Sequence, residues 1–445
     1  MRRQLYPQQQ VLVPSFSRHE HGVELAEIGR FLDSLDGVEE LVEADLLRGA
    51  SAKRGRPGLT ARQVLRVVVL KQMKGHSYDQ LAFHLSDSQS YRAFCELELC
   101  GNAMKRATLQ DNVAKISPRT WERINAAVVQ RAKRDGVDDA KRVRIDCTTV
   151  EANVHPPSDS SLLVDVVRVT TSLLRQANKN ATFSWSNHLR LAKRRGIAIV
   201  RARSKAERRA RYRDLVRVTE RVLGFAAHAV DALAGVSSSN AQLLHVKLKH
   251  IIEIGGQVIN QTRRRVFEGE KVLASEKVVS VVEPHTSVII KSREEVIYGH
   301  KICLNIGASG LVIDCVVHNG NPSDATMTEP MIRRQRQLLG DAPRQAVFDG
   351  AFASGDNLTA LKELGVEDAV FTKSRGLRIS EMASSSFIYR ALRRFRAGVE
   401  GCISFLKRCF GLDRCTWKGF PSFLSYVQAS VLSANLLLIA RHRLA

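Results

Sequence analysis

The sequence predicts an α/β protein in which a helical first part is followed by a mixed β-sheet that carries a basic helical insertion. Three observations support this prediction. Apolar residues recur at helical spacing over residues 60–100, alternate with polar residues over 142–150, and then form several short β-rich runs. We place a helical domain at 1–135 and an α/β domain at 136–445, in which the segment 160–250 is the helical basic insertion.

The composition indicates a folded protein with a polyanionic partner. The 445 residues are 44% hydrophobic and 25% charged, which is ordinary for a globular chain. They include 68 Lys and Arg against 45 Asp and Glu, so the net charge is +23. Nucleic acid fits this surplus better than a membrane surface, because no basic amphipathic anchor lies beside an exposed aromatic face. The N-terminal MRRQLYPQQQ lacks the apolar core of a secretory signal, so we expect a cytoplasmic protein.

The most apolar stretch, SFLSYVQASVLSANLLLIARHRL at 422–444, predicts a buried helix rather than a membrane span. Polar side chains are expensive in a bilayer unless they find partners. Six of them interrupt this stretch at short intervals: Ser422, Ser425, Gln428, Ser430, Ser433 and Asn435. We therefore expect no membrane partner.

Two capping boxes predict the first helices. Thr60 with Gln63, and Ser77 with Gln80, each have the spacing in which a hydroxyl and an amide satisfy the free ends of a helix. The segment reads as a helix, a glycine-containing turn and a second helix. Two interpretations stay open at this point, a helix-turn-helix DNA reader and a small all-helical bundle.

The stretch KRGRPGL lies just before the first of these helices. Its arginines Arg54 and Arg56 are typical of an extended arm that lies in an A·T minor groove. A solvated loop that leads into the Thr60 cap explains the same residues.

The first strand follows a further helix. Ser117 before Pro118 predicts a helix start. The segment KRVRIDCTTVEANV at 141–154 then alternates apolar and polar residues, which places Asp146 in mid-strand on the polar face. In the insertion, residues 190–217 hold twelve Arg and Lys against one Glu and one Asp. Both a solvated helix face and a phosphate-contacting surface explain this run.

Later β-rich runs complete the sheet. We expect strands in EKVVSVVEP, YGHKICLNIG, GLVIDCVVHNG, QAVFDG and DAVFTKS, with the helix DNLTALKELG between the last two. Asp349 stands where the strand AVF meets Gly350, the strand end at which α/β sheets often place function. By itself, such an aspartate is more often a turn or cap residue.

The segment RFRAGVEGCISFLK, 394–407, predicts an amphipathic helix with one acid among bases. Offsets of four and seven bring Arg396 and Lys407 to the helix face of Glu400. An ordinary surface ion pair explains this spacing too. Together with Asp146 and Asp349, however, three acids on two strands and a helix can converge at one sheet edge. Such carboxylates suit Mg²⁺, and two ions about 4 Å apart would clamp both oxygens of a phosphoryl displacement.

The chain resembles the bacterial insertion-sequence transposases of the DDE type. Four stretches carry the resemblance: IDCTTVEANVHPPSDSSLL, YGHKICLNIGASGLVIDCVVHNGNPSD, VFDGAFASGDN and RFRAGVEGCISFLK. The family's Arg-x3-Glu-x6-Lys signature is met by Arg396, Glu400 and Lys407. The helical segment 60–100 resembles the N-terminal domain common in these transposases.

The resemblance implies an RNase H-like catalytic domain and a DNA-binding N-terminal domain. It makes Asp146, Asp349 and Glu400 the ligands of two Mg²⁺ ions, or Mn²⁺ in their place, with Arg396 and Lys407 contacting DNA phosphates. The enzyme would bind the terminal inverted repeats of its element in the bacterial nucleoid, cleave the transposon ends and join the 3′-hydroxyls to target DNA. A homodimer would pair the two ends. Two alternatives stay open, an RNase H-like nuclease without strand transfer and a non-catalytic DNA-binding protein.

The sequence departs from the family pattern in two places. Many relatives have a tyrosine three positions before the signature arginine, where this chain has Arg393. The basic insertion follows the first catalytic strand, whereas better-studied relatives often place theirs before the glutamate. Seven polar residues near the strands are candidates for supporting the site, although turn formation explains the last three as well: Thr148, Glu151, Asn153, His155, Asn319, Asn321 and Asp324.

Overall fold

The computed structural model describes residues 15–48, 58–98, 104–290 and 295–445. Contacts divide the chain into two compact units. The first unit comprises Met1–Val150, Lys301–His318 and Pro322–Ala445, and the second comprises Glu151–His300 and Asn319–Asn321. The predicted domain boundary at 135/136 falls inside the first unit, and the predicted insertion falls inside the second.

Among the described residues, seven helices precede the first strand: α1 Glu20–Asp33, α2 Val38–Leu47, α3 Ala61–Lys74, α4 Tyr78–Asp87, α5 Gln89–Phe94, α6 Arg106–Val113 and α7 Pro118–Arg134. Both predicted capping boxes form, at Thr60 and at Ser77. Gly75 ends α3 with φ 63°, a left-handed conformation that glycine adopts without strain. Ser117 caps α7, with Pro118 in the first turn. The helix–turn–helix arrangement of α3 and α4 is therefore confirmed.

In the described parts of the chain, six strands form one mixed sheet: β1 Arg142–Glu151, β2 Ser287–Ile290, β3 Val296–Ile306, β4 Val312–Val317, β5 Gln345–Phe348 and β6 Asp368–Phe371. The strand order is β2-β3-β1-β5-β6, and β4 also pairs with β3. β2 and β4 run antiparallel to β3, whereas β5 runs parallel to both β1 and β6. The prediction of a mixed sheet is confirmed.

The prediction of a strand at EKVVSVVEP, 276–284, was wrong. After a short 3₁₀ turn at Ala274–Glu276, the segment is irregular and pairs with no strand. Val278 and Val281 are buried in a helical core. The Gln261 side chain accepts a hydrogen bond from the Val278 amide and donates one to its carbonyl oxygen, so a side chain satisfies the backbone instead of a neighbouring strand. The β-branched residues correctly indicated that the segment is buried. They did not indicate that it packs into a helical core instead of pairing with a strand.

Five helices complete the first unit: α12 Thr328–Leu339, α13 Gly355–Glu363, α14 Ile379–Met382, α15 Ser386–Phe410 and α16 Phe420–Leu444. Ser385 caps α15 by accepting a hydrogen bond from the Ile388 amide, and Gly411 ends the helix in a left-handed conformation. The helix therefore carries the whole predicted signature segment.

Helix α16 is the core helix predicted from the apolar C-terminal stretch. In the part of the chain that the structure describes, it is the one helix long and apolar enough to cross a membrane, yet 89% of its most apolar window is buried. Its polar residues are bonded inside the first unit. Gln428 donates to the Cys315 carbonyl, Ser430 accepts from Gln72, and Asn435 bonds both backbone groups of Val312. These bonds explain why polar residues interrupt an otherwise apolar run.

The second unit is built around four helices: α8 Asp159–Ala177, α9 Leu189–Val200, α10 Lys205–Leu233 and α11 Ser239–Thr262. Their facing apolar residues, among them Leu163, Leu215 and Leu248, form one buried core. A six-residue π-helix, Arg263–Glu268, continues α11. The helical character predicted for 160–250 is confirmed.

Candidate active site

The polar face of β1 lies against helix α15. Arg144 donates hydrogen bonds to the Phe395 carbonyl at 3.2 Å and to the Cys402 sulfur at 3.3 Å. Two residues further along, Asp146 accepts a hydrogen bond from Arg396. Alternate residues of a strand point to one face, so this contact follows directly from the period-two pattern of β1.

Asp146 and Asp349 lie on neighbouring parallel strands. Ile145 of β1 is in register with Phe348 of β5, so the two following residues are also neighbours. Nη2 of Arg396 lies 2.8 Å from Oδ2 of Asp146 and 3.7 Å from Oδ1 of Asp349. The Asp146 side chain is 16% exposed and that of Asp349 is 43% exposed. One guanidinium from α15 thus faces two carboxylates of the sheet.

The two carboxyl groups have different acidities. Burial raises the pKa of Asp146 to about 6, and the charges of Asp349 and Asp324 act in the same direction. Arg396 and the Cys147 amide oppose this rise. At Asp349, burial also acts to raise the pKa, but hydrogen bonds from the Thr372 hydroxyl and the Gly350 amide outweigh it and hold the pKa below its ordinary value. Asp146 therefore keeps its proton to a higher pH than Asp349 does, and Arg396 and Lys373 both favour the charged form of Asp349.

Glu400 lies on α15, one turn after Arg396, and its side chain is exposed. With Thr148, Lys407 and Asp413 it lines a cavity of about 490 Å³. Thr148 stands two positions after Asp146 on β1, so this cavity and the aspartate pair share one strand face. Nζ of Lys407 lies 3.8 Å from a carboxylate oxygen of Asp413.

The structure brings the predicted acids only partly together. Among the residues that it describes, no three His, Cys, Asp or Glu side chains lie close enough to hold a metal ion. Asp146 and Asp349 form a pair, and Glu400 remains a predicted third ligand. Arg54 and Arg56 lie outside the described residues.

Two residues near the aspartates were not predicted from the sequence. Thr372 follows β6 directly, and its hydroxyl donates to Oδ1 of Asp349 at 2.9 Å. Since parallel strands end at the same sheet edge, its place after DAVF was a usable signal. Gly398 allows Arg144 to reach α15, because a Cβ at this position would overlap Nη1 of Arg144. No local sequence pattern predicts such a close approach between a strand side chain and a helix backbone.

The predicted supporting residues divide between the units. Asp324 belongs to the first unit, where its carboxylate accepts a hydrogen bond from Lys301 at 2.8 Å. Thr148 also belongs to the first unit. The remaining five residues belong to the second unit: Glu151, Asn153, His155, Asn319 and Asn321.

Comparison with known families identifies two segments. A family described as "Transposase DDE domain" matches residues 277–436, which include Asp349, Arg396 and Glu400. A family described as "Transposase domain (DUF772)" matches residues 15–115. Asp146 lies in neither segment, so its link to the site comes from the strand register. The comparisons with curated proteins and with solved structures found no match. Taken together, the two matches indicate an insertion-sequence transposase of the DDE type.

Proposed function

We propose that the chain is an active transposase that binds the terminal inverted repeats of its own element and cleaves at the transposon ends. The freed 3′-hydroxyls then join target DNA by transesterification. Each joining step forms one phosphodiester bond and breaks another, so no covalent protein–DNA intermediate is needed. The observation that carries this proposal is the pair of aspartates on neighbouring strands, which faces Arg396 on the signature helix.

The donor set fits Mg²⁺. Carboxylate oxygens are its preferred protein ligands, and Asp146 and Asp349 present two carboxylates that face one guanidinium. They would supply two of the three protein ligands, with Glu400 as the third. When bound, the metal would activate the attacking oxygen and stabilise the leaving oxygen.

The basic residues of α15 have a matching role. Arg396 is planar and presents several N–H groups, so it can hold a carboxylate in the free enzyme and a phosphate in the complex. Lys407 lies in the cavity beside Glu400 and would add a second phosphate contact. Glu400 itself is exposed to solvent, as a group must be if it is to meet metal and DNA together.

Partners follow from the chemistry. The substrate is double-stranded DNA, as transposon end and as target, and we propose a homodimer because two ends must be joined in one reaction. The N-terminal helices α3 and α4 are the proposed end-binding element, with Arg54 and Arg56 as further DNA contacts. We place the reaction in the bacterial cytoplasm, at the nucleoid.

The test uses a labelled duplex that carries the repeat flanking the coding region. We expect wild-type protein with Mg²⁺ to release 3′-hydroxyl ends and to join them to a plasmid. Glu400→Gln should bind the duplex with unchanged affinity and lose both reactions by at least 100-fold, because it removes a ligand charge while keeping the side-chain size. Glu363→Gln is the matched control, since Glu363 is an exposed glutamate near the end of α13.

The outcomes separate the alternatives. Cleavage without joining would favour an RNase H-like nuclease. Binding without any reaction in the wild type would favour a non-catalytic DNA-binding protein. Equal activity in wild type and Glu400→Gln would remove Glu400 from the active site.

A further inference from the structure

A row of basic side chains runs along helix α10 in the second unit. It consists of Lys205, Arg209, Arg213, Arg217 and Arg221, spaced four positions apart, and we call these five residues the basic row. Each step advances about 6 Å along the helix axis and about 40° around it, so the row spans about 24 Å. All of its members except Arg209 are exposed.

The basic row is not neutralised by its surroundings. Three of the four carboxylates of the same helix pair with arginines outside the row: Glu207 with Arg211, Asp214 with Arg195 and Glu220 with Arg263. In the part of the chain that the structure describes, no member of the basic row forms an ion pair. Its charge is therefore available to an external anion.

The basic row opposes the stability of its own helix. Like charges four positions apart repel each other, and the row repeats this spacing along its whole length. Lys205 occupies the first turn, where the helix dipole favours anions instead. A surface that served only solubility would intersperse both signs of charge. A polyanion lying along the row would relieve the repulsion.

Two members of the basic row hold the π-helix Arg263–Glu268 in place. Arg209 donates to the carbonyl oxygens of Val266 and Phe267, each at 3.1 Å, and the Arg213 guanidinium lies over the Phe267 ring at 5.8 Å from its centroid. Beside the π-helix is a cavity of about 340 Å³, lined by three arginines (Arg213, Arg217 and Arg263), by the glutamates Glu220 and Glu268, and by Val216 and Phe267. π-Helices are rare and concentrate at functional sites. The middle of the row is thus a shaped surface with a recess wide enough for a phosphate.

We propose that the basic row binds the sugar–phosphate backbone of duplex DNA without reading its sequence. The inference rests on the proposed function only in taking DNA as the polyanion. One DNA strand carries a charge every 3.4 Å of helix axis. The row turns about 160° around the helix from Lys205 to Arg221, so one strand can follow its exposed end at Arg213, Arg217 and Arg221, which is about 12 Å long and lies beside about three or four phosphates. Arginine suits such contacts because its planar group donates two hydrogen bonds to one phosphate.

The test compares two charge-matched double variants of the full chain. Arg217→Gln with Arg221→Gln removes two exposed members of the basic row that do not bond the π-helix. Lys247→Gln with Lys249→Gln removes two exposed charges from α11 of the same unit. Fluorescence anisotropy measures the affinity for two labelled duplexes of unrelated sequence at several salt concentrations, and thermal unfolding by circular dichroism verifies that all variants fold.

We expect the slope of log K against log salt to become shallower by about 1.8 in the row variant, because two phosphate contacts are lost. Affinity at 0.1 M salt should fall roughly 60-fold for both duplexes, whereas the α11 variant should keep the wild-type slope. An unchanged slope in the row variant overturns the inference. So does an equal loss in both variants, or a loss confined to one duplex sequence.

The result is independent of the cleavage assay. If the chain cleaves no DNA but the row variant still loses the two contacts, the proposed function fails and the basic row stands as a DNA-binding surface. If cleavage and joining proceed and the salt slope does not change, only the present inference fails.

Discussion

The aspartate pair of the first unit faces a cation of the protein, whereas the basic row of the second unit has no carboxylate partner among the described residues. Around Asp146 and Asp349, the cation Arg396 and both anions come from the protein itself. Along α10, five basic side chains have no carboxylate partner among the described residues. The net charge of +23 is therefore not spread evenly: some cations are used within the fold, and others are presented to solvent.

Burial explains why the difference matters energetically. The side chains of Arg396 and Asp146 are only 14% and 16% exposed, so water screens their interaction weakly. Removing one partner leaves the other uncompensated in a region of low dielectric constant. Charges of the basic row are solvated and screened, and the loss of one of them should matter for binding instead of folding.

The largest expected effect on stability is the pH dependence due to Asp146. Its pKa is about 6 in the folded protein against 3.8 for an ordinary aspartate, so its contribution to stability is complete below about pH 4 and is lost as the pH rises through 6. Asparagine cannot ionise. In urea unfolding, the stability of Asp146→Asn relative to wild type should therefore rise between pH 4 and pH 7, by about 3 kcal/mol at most. Parallel stability curves for the two proteins would show that Asp146 is not buried as described.

A second prediction contrasts two arginines directly. Arg396→Gln should lower the free energy of unfolding at pH 7 by about 2 kcal/mol, because two carboxylates lose their cation. Arg217→Gln, taken from the basic row, should change it by less than about 0.5 kcal/mol. Below pH 5 the loss in Arg396→Gln should shrink, since Asp146 then takes up a proton. Equal effects of the two substitutions on the free energy of unfolding would contradict the expected difference between Arg396, which is largely buried, and Arg217, which is exposed.

The smallest effect concerns two glycines. Alanine at Gly398 would overlap Arg144, which is buried and held by two hydrogen bonds, so we expect Gly398→Ala to destabilise the protein by about 1 kcal/mol. Nothing lies within 4 Å of a Cβ at Gly224 in α10, and alanine favours a helix there, so Gly224→Ala should stabilise by up to about 1 kcal/mol. Thermal unfolding measures both. Stabilisation by both substitutions would mean that α15 does not need its close approach to β1.

Local signals in the sequence were sufficient for most elements. The caps at Thr60, Ser77 and Ser117 are formed by residues within one turn of each other, so their geometry depends little on the rest of the fold. The alternation in β1 and the position of Asp349 at the end of β5 are local in the same sense. These signals placed two catalytic candidates on strands and Glu400 on a helix, and the structure shows that the two strands are neighbours.

Signals that depend on distant partners were less informative. The valines of 276–284 are buried, but only the tertiary structure shows that Gln261 satisfies the backbone there. The grouping of the N-terminal helices with the sheet in one unit likewise depends on contacts far apart in sequence, such as Gln72 with Ser430. Propensity and periodicity carry no information about such contacts.

The sequence by itself determined the surplus of positive charge, the caps of several helices, the alternation of β1, and the identity of three acids typical of DDE transposases. Composition and residue identity are fixed by the sequence, and caps and alternation depend only on residues close together in the chain. Only the tertiary structure decided that Arg396 lies between Asp146 and Asp349, that burial moves the pKa of Asp146 to about 6, and that the basic row has no carboxylate partner among the described residues. Electrostatic interactions depend on distance and burial in space, and neither quantity can be read from spacing along the chain.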